Sequence, residues 1–524
     1  MKLPRLVVGA ALAAVVLTAG CARPSEPMPG SRAQTPSWSA DDLAFFLHGS
    51  MSAELVPERV LRAFVATYPD LFPRADLTNF GMIPDPQFGW PIGLSRRTIP
   101  HLGGLSSIGV NCASCHVTEI VPPGGGAPLR VLGGVSHFDA EAFFNTILLA
   151  TFKTGDPANM QRFVAAYAAA ADPAAGPLAE QVWRRQSAAL TAAVAADPYG
   201  ATGVAPGALH AIAPADLVLD RAALERGADL TPTVRALLRL FHNMRAAVHV
   251  PDKIPDVLPP PSGPGRNDAF GLLAVALLGT QPQYAPVKYG IIWGTADRPW
   301  VHWDGNTRSP IARNLLASLG LGAPLVGNRG LLEFADVKRQ TDISERIRAP
   351  RWPWAIDQGA AGRGARTYAA RCASCHDGPE SDARLHDVGT DPTRAKGLTR
   401  QAADGFNALL ARLETPGYVP PAQPGIRATG KYWAPTLVGV WARAPYLHNG
   451  SVRTLTDLLT PPAQRATSYR RGTKDYDPTA VGFLDGGAYL LDTRTPGNSN
   501  SGHDFGTNLS ADEKRDLIEH LKTR

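Results

Sequence analysis

Cys112-Ala113-Ser114-Cys115-His116 and Cys372-Ala373-Ser374-Cys375-His376 decide how this chain is read. Each is a C-x-x-C-H motif, in which two thiolates add to the vinyl groups of a haem and the adjacent histidine sits beneath the iron as its proximal ligand. The spacing predicts two haems c, bound through Cys112 and Cys115 and through Cys372 and Cys375, with His116 and His376 as axial ligands. A zinc site built from both pairs leaves unexplained why His directly follows each of them. A redox-active dithiol calls for a βαβ setting that the sequence lacks.

The remaining cysteine is accounted for at the N-terminus. Of five cysteines in 524 residues, Cys21 alone lies outside the motifs. Lys2 and Arg5 precede an apolar stretch at 6–17 and the small residues Thr18-Ala19-Gly20, the layout of an export signal. Leu17-Thr18-Ala19-Gly20-Cys21 resembles a lipoprotein processing site, so residues 1–21 are read as a lipoprotein-type signal with a lipid anchor at Cys21. The expected location is the periplasm, or the outer membrane as a tethered lipoprotein. Residues 22–38 are Pro/Ser-rich and read as a flexible tether. None of the cysteines remains for structural disulfides, which a chain of this size does not need. A net charge of +6 with no run of basic residues argues against nucleic acid as a partner.

Between the motifs most of the chain has helical periodicity: 139–154, 159–170, 178–196, 231–248, 269–278 and 311–319. Another helical pattern runs over 39–68, while 69–109 breaks into Pro, Gly and aromatic residues that suggest an irregular wrap. Proline-rich breaks fall at 251–264 and 349–353. The second precedes a helix at 357–370 that delivers Cys372. A last helix spans 510–522, with Ser510 and Glu513 forming a capping box. The reading is a mostly α protein: two cytochrome-c-like haem domains, 39–348 and 349–524, with long loops and an extended helical region between the haems.

Residue types downstream of the second motif constrain the sixth iron ligand. All six methionines, at 1, 28, 51, 82, 160 and 244, precede that motif, so the second haem has no downstream axial Met. Four histidines lie beyond it: His386, His448, His503 and His520. His503 is flanked by Gly502 and Gly506, which permit close approach to a flat macrocycle, and is the favoured ligand. His448, in a turn-like segment, is the alternative. For the first haem His101, His137, His242, His249, Met160 and Met244 are candidates, none in a compelling setting. An open iron there is what peroxide or dioxygen chemistry requires.

Gly265-Arg266-Asn267-Asp268-Ala269-Phe270, Trp303-Asp304-Gly305-Asn306 and Ala444-Pro445-Tyr446-Leu447-His448-Asn449-Gly450-Ser451-Val452-Arg453-Thr454-Leu455 accompany the motifs. Together they resemble the bacterial dihaem cytochrome c peroxidase superfamily, which includes MauG and the rubber oxygenases, and are most similar to the RoxA-like rubber oxygenase branch. The resemblance covers roughly residues 80–524 and implies several things. The N-terminal haem is the reactive one, and the C-terminal haem relays electrons with His503 as its second ligand. Trp303 conducts electrons or holds a radical between them. Arg266 pairs with a haem propionate or plays a structural part, His448 is a pocket or structural residue, and calcium sits between the domains. The chain departs from short peroxidases in lacking a Met after Cys372, and from rubber oxygenases in its tether.

The function expected is that of a peroxidase-like dihaem oxidoreductase. Peroxide or dioxygen would react at the first haem, with electrons from a small redox protein or other donor. The competing classes are a dihaem electron carrier without catalysis and an oxygenase that cleaves an apolar polyene. Inter-motif length argues against the carrier.

Overall fold

Single capping side chains set where the main helices begin. Asp139 accepts a hydrogen bond from the Ala142 amide at the start of Ala140–Thr154, and Asp357 accepts one from Ala360 at the start of Gln358–Arg371. Thr399 does the same for Arg400–Arg412, and Ser510 and Glu513 close the expected capping box on Ala511–Lys522. The computed structural model describes residues 31–54, 56–98, 106–172, 175–200, 208–213, 217, 221–248, 261–279, 285–321 and 332–524. These are mostly α, with short antiparallel strand pairs.

The helices read from periodicity between the motifs are present, at Ala140–Thr154, Pro157–Ala169, Pro177–Ala196, Thr231–Val248, Ala269–Leu278 and Pro310–Gly320. Two further helices of more than ten residues were missed, Phe334–Ser344 and Arg400–Arg412. The second is the more instructive, because it was legible: its buried Ala402, Ala403, Phe406 and Leu410 recur at helical spacing behind a Thr cap. The stretch 39–68 is broken into Ala40–His48 and Glu58–Thr67, because Pro57 ends one segment and opens the next helix. The region read as an irregular wrap supplies two strands of a three-stranded antiparallel sheet, with Ser106–Val110 between Val56–Pro57 and Leu94–Thr98. Ser106–Val110 is buried at every position, so it lacks the alternation that marks a half-buried strand.

The hydrophobic core does not divide at 349. One cluster joins Phe46, Ile120, Trp293 and Ile347 to Tyr368, Trp441 and Leu517, and another joins Leu315 and Val337 to Phe406 and Leu410. A third draws only on residues before the second motif, where Phe64, Phe163 and Phe241 pack ring against ring and Trp183 meets Tyr167 edge-on. The proline break at 349–353 packs on this shared core: Trp441 Nε1 donates to the Pro350 carbonyl, and Trp352 packs edge-on against Trp441.

The end of the expected tether is docked. Residues 31–38 contain a short helix, Ser31–Gln34, and the buried Gln34 side chain donates to the carbonyls of Leu132 and Arg348 while accepting from the Leu132 amide. Three polar contacts on a buried amide fix the segment, and Trp38 adds a ring contact with Phe46. The signal, Cys21 and the tether up to residue 30 lie outside the described residues. No helix among the described residues is long and apolar enough to cross a membrane.

Candidate haem-binding site

The central strand of the sheet runs directly into the first motif. Asn111, one residue past Ser106–Val110, caps the helical turn Cys112–His116 by accepting from the Ala113 amide, while its Nδ2 donates to the carbonyls of Phe46 and Gly49. Gly93 lies against Ser114; a Cβ there would sit 2.2 Å from the Ser114 Cα, so no other residue fits. Burial and the nearby Arg313 guanidinium push His116 down to about 3.

The second motif is set by the helix before it and the loop beneath it. Gln358–Arg371 leads through Cys372 into the turn Ala373–His376, and His376 Nδ1 donates to the Pro435 carbonyl at 2.7 Å. That bond places the ring proton on Nδ1 and leaves Nε2 bare, the state in which imidazole binds a metal. The buried Arg384 donates to the carbonyls of His376, Gly378, Pro379 and Ala434, which ties the loop together. Arg524, on the last residue of the chain, pairs with Asp377.

His503 faces His376 with ring centres 6.5 Å apart. Two imidazoles on opposite sides of one metal, each bound at about 2 Å, have ring centres roughly 6 Å apart. His503 adopts a left-handed φ of +49° and its amide donates to the Val388 carbonyl. Gly502 permits this, since a Cβ there would be 2.2 Å from the Gly389 carbonyl carbon. Burial, with His376 next, pushes His503 down to about 4.

The run 444–455 acts on this loop from behind. Asn449 Nδ2 donates to the carbonyls of Gly497 and Ser499, and Ser451 Oγ donates to Ser499 as well. Arg465, which sequence reasoning missed, donates to the carbonyls of Asn500, Gly502 and His503. His448 is buried, stacked on Tyr432 at 4.2 Å, with Nε2 3.0 Å from the Tyr432 hydroxyl. Its Nε2 therefore already has a partner.

Both motifs line one cavity of about 530 Å³, together with His302, Trp303, His386, His448 and His503. Trp303 Nε1 donates to the Lys288 carbonyl at 3.0 Å, and the Lys288 ammonium lies 5.3 Å from its ring centre. Lys288 is buried and donates to the carbonyls of Arg443 and Pro445; burial holds its pKa well below the usual lysine range. Arg266 is buried but does not line the cavity: it donates to the Ser262 carbonyl and Asn498. Of the other first-haem candidates, Met160 lies in the core of the helical region, His242 bonds Tyr199, and His137 packs edge-on against Phe483 beside a separate small cavity. Met244 does not line the main cavity either. His101 and His249 lie outside the described residues.

Cavity residues that escaped the sequence reading include His302, Arg313, Arg394 and Arg443. His302 has φ of +71°, its Nδ1 lies 2.8 Å from Asn306 Oδ1, and its ring meets Phe270 edge-on at 5.1 Å. Burial, then Arg394 and Arg313, push it down to about 3. The signal was available: His302 directly precedes Trp303.

The residues at this cavity fit haem. Arg394 and Arg443 line it with buried Nε atoms that have no hydrogen-bond partner, suited to propionate carboxylates. The thiols of Cys115 and Cys372 are pushed up to about 11 by burial, opposite to a redox-active dithiol. No group of three or more His, Cys, Asp or Glu that could hold a metal ion forms among the described residues, so the two pairs do not converge into a zinc site.

Residues 430–470 match the family described as RoxA-like, cytochrome c-like. This segment contains the run that braces the His503 loop. The chain is similar to the uncharacterized protein y4iJ of Sinorhizobium fredii, 31% identical over 328 residues, covering 46% of this chain and 55% of that protein. It is also similar to the uncharacterized protein y4iM of the same organism, 32% identical over 281 residues, covering 44% of this chain and 63% of that one. The chain thus spans 55–63% of the length of the curated relatives it matches. The family match supports the RoxA-like branch of the resemblance, and with it haem c, iron and electron transfer.

Proposed function

We propose that this protein is a peroxidase-like dihaem oxidoreductase in which an oxidant reacts at the haem of Cys112, Cys115 and His116, and electrons arrive through the haem of Cys372, Cys375 and His376. The observation that carries this is an asymmetry. His376 has an imidazole facing it at 6.5 Å, whereas the ring contacts of the described residues include no such partner for His116. An iron held by two imidazoles relays electrons, and one with a free side takes a small ligand.

When bound, haem supplies the redox chemistry and the iron coordination site. The chain supplies the rest. His376, its proton fixed by Pro435, and His503, held by Arg465, Asn449 and Gly502, clamp the relay position. Trp303, anchored by the Lys288 carbonyl, lies on the wall common to both motifs and is the residue for electron passage. Arg394 and Arg443 offer the cations for propionates. The export signal and Cys21 would place this chemistry outside the cytoplasm, on a lipid tether, facing a small donor protein.

The test is to add hydrogen peroxide, carbon monoxide and cyanide to the oxidised and half-reduced holoprotein and follow each haem spectrally. The reading expects one responsive haem, and an oxidised species whose decay changes in Trp303→Phe. Two unresponsive haems in every redox state would make the protein a carrier. The RoxA-like match favours a second reading, with dioxygen as oxidant and an apolar polyene as substrate. Turnover of such a polyene with dioxygen, and indifference to peroxide and donors, would select it.

A further inference from the structure

We infer that His302, assisted by Arg313, is the proton-transfer residue of the oxidant pocket, which makes the first haem's ligand a protic one such as hydrogen peroxide. The inference rests on the reading of an open first haem. His302 lines the shared cavity in a left-handed conformation that residues other than glycine rarely adopt, and such conformations persist where surroundings hold them. Asn306 Oδ1 accepts the Nδ1 proton, and the buried Asn306 is itself fixed by its donation to Asp304 Oδ2 at 2.9 Å. Nε2 is therefore the basic nitrogen, and no hydrogen bond of the described residues occupies it.

The groups around this ring come from three elements. Phe270 on Ala269–Leu278 supports it edge-on, and Arg313 on Pro310–Gly320 and Arg394 on Thr393–Gly397 bring cationic charge. The Asp304 carboxylate, two residues on from His302, lies 3.5 Å from Arg394, and Phe270 belongs to the core cluster against which Cys112 of the first motif packs. His302 thus belongs to the first motif's side of the cavity. Arg313 also lines the cavity, its Nε donating to Asn314 Oδ1, with no carboxylate in ion-pair distance among the described residues. Burial first, and then the two cations, keep the imidazole neutral.

In the reaction, Nε2 takes the proton from one oxygen of HOOH and returns it to the other as the O–O bond breaks, so that oxygen leaves as water. Arg313 stabilises the negative charge that builds on the departing oxygen. The second oxygen becomes water with two solvent protons and two electrons from a one-electron donor acting through the relay haem. Dioxygen carries no proton to hand over, so it gains nothing from this arrangement.

Cyanide tests the proton step without turnover, because HCN must lose its proton to bind iron as cyanide. His302→Gly and His302→Asn both tolerate the backbone conformation. In haem-loaded protein we expect each to slow cyanide association about a hundredfold, the scale of a lost general base, and to shift the C–O stretch of the carbonyl adduct, with low-spin resonances unchanged. An unaltered association rate overturns the inference. Loss of a low-spin resonance in the variants overturns it too, by making His302 an axial ligand. Failure of the wild-type protein to bind cyanide in any redox state would instead remove the open first haem on which both rest.

Discussion

Single nitrogens decide which histidine does what. His448 and His503 both lie beyond the second motif in loops and both line the cavity, but Nε2 of His448 meets the Tyr432 hydroxyl while the His503 ring faces His376. In the holoprotein, His503→Ala is expected to abolish one low-spin species in electron paramagnetic resonance, and His448→Ala to leave both signals in place. The reverse result would transfer the ligand role. Cys372→Ala is expected to halve the haem content measured as pyridine haemochrome, since one thioether cannot substitute for the pair's geometry. The difference between the two histidines was open to sequence reading only in part. His503 was marked by its glycines, but nothing in the order of residues says that Tyr432 would cover His448.

Helix contacts transmit this placement. Gln358–Arg371 and Ala511–Lys522 pack along each other, and a Cβ on Gly364 would lie 1.9 Å from the Asp516 carbonyl oxygen. Gly364→Val is expected to destabilise the holoprotein by about 1–3 kcal/mol through overpacking, seen as a lower Tm. Gly362→Val, where nothing lies within 4 Å of the added Cβ, is the control. It should show only the helix cost of valine. The His503 loop hangs on Arg465 in the same way, through three carbonyls at 500–503. If His503 is the ligand, Arg465→Gln is expected to introduce a high-spin fraction at the haem of the second motif in magnetic circular dichroism, because the loop loses its clamp. Periodicity and caps made most helices legible. Periodicity was silent on Ser106–Val110, where burial on both faces erases alternation.

Across the whole molecule, buried neutral histidines couple folding to pH. Burial pushes His137 and His448 down to about 3 each. Their folded pKa values lie below the unfolded value near 6.5, so the unfolded chain binds protons first as pH falls. Their contribution is fully present above about pH 6.5 and is lost progressively toward pH 3, on the order of 1 kcal/mol per pH unit for each. Thermal denaturation of the holoprotein between pH 7 and 4 is expected to show a falling Tm, with a shallower fall in His137→Gln. The sequence by itself determined the two C-x-x-C-H motifs, the helical class and the lack of a downstream methionine, because these depend on residue type and on spacing along one chain. Only the tertiary structure decided that the core crosses 349, that both motifs open on one cavity, that Arg465 and Asn449 brace His503, and that His302 and Arg313 share its wall. Those facts depend on which distant segments bury each other's surface, and such pairings leave no periodic trace in the chain that makes them.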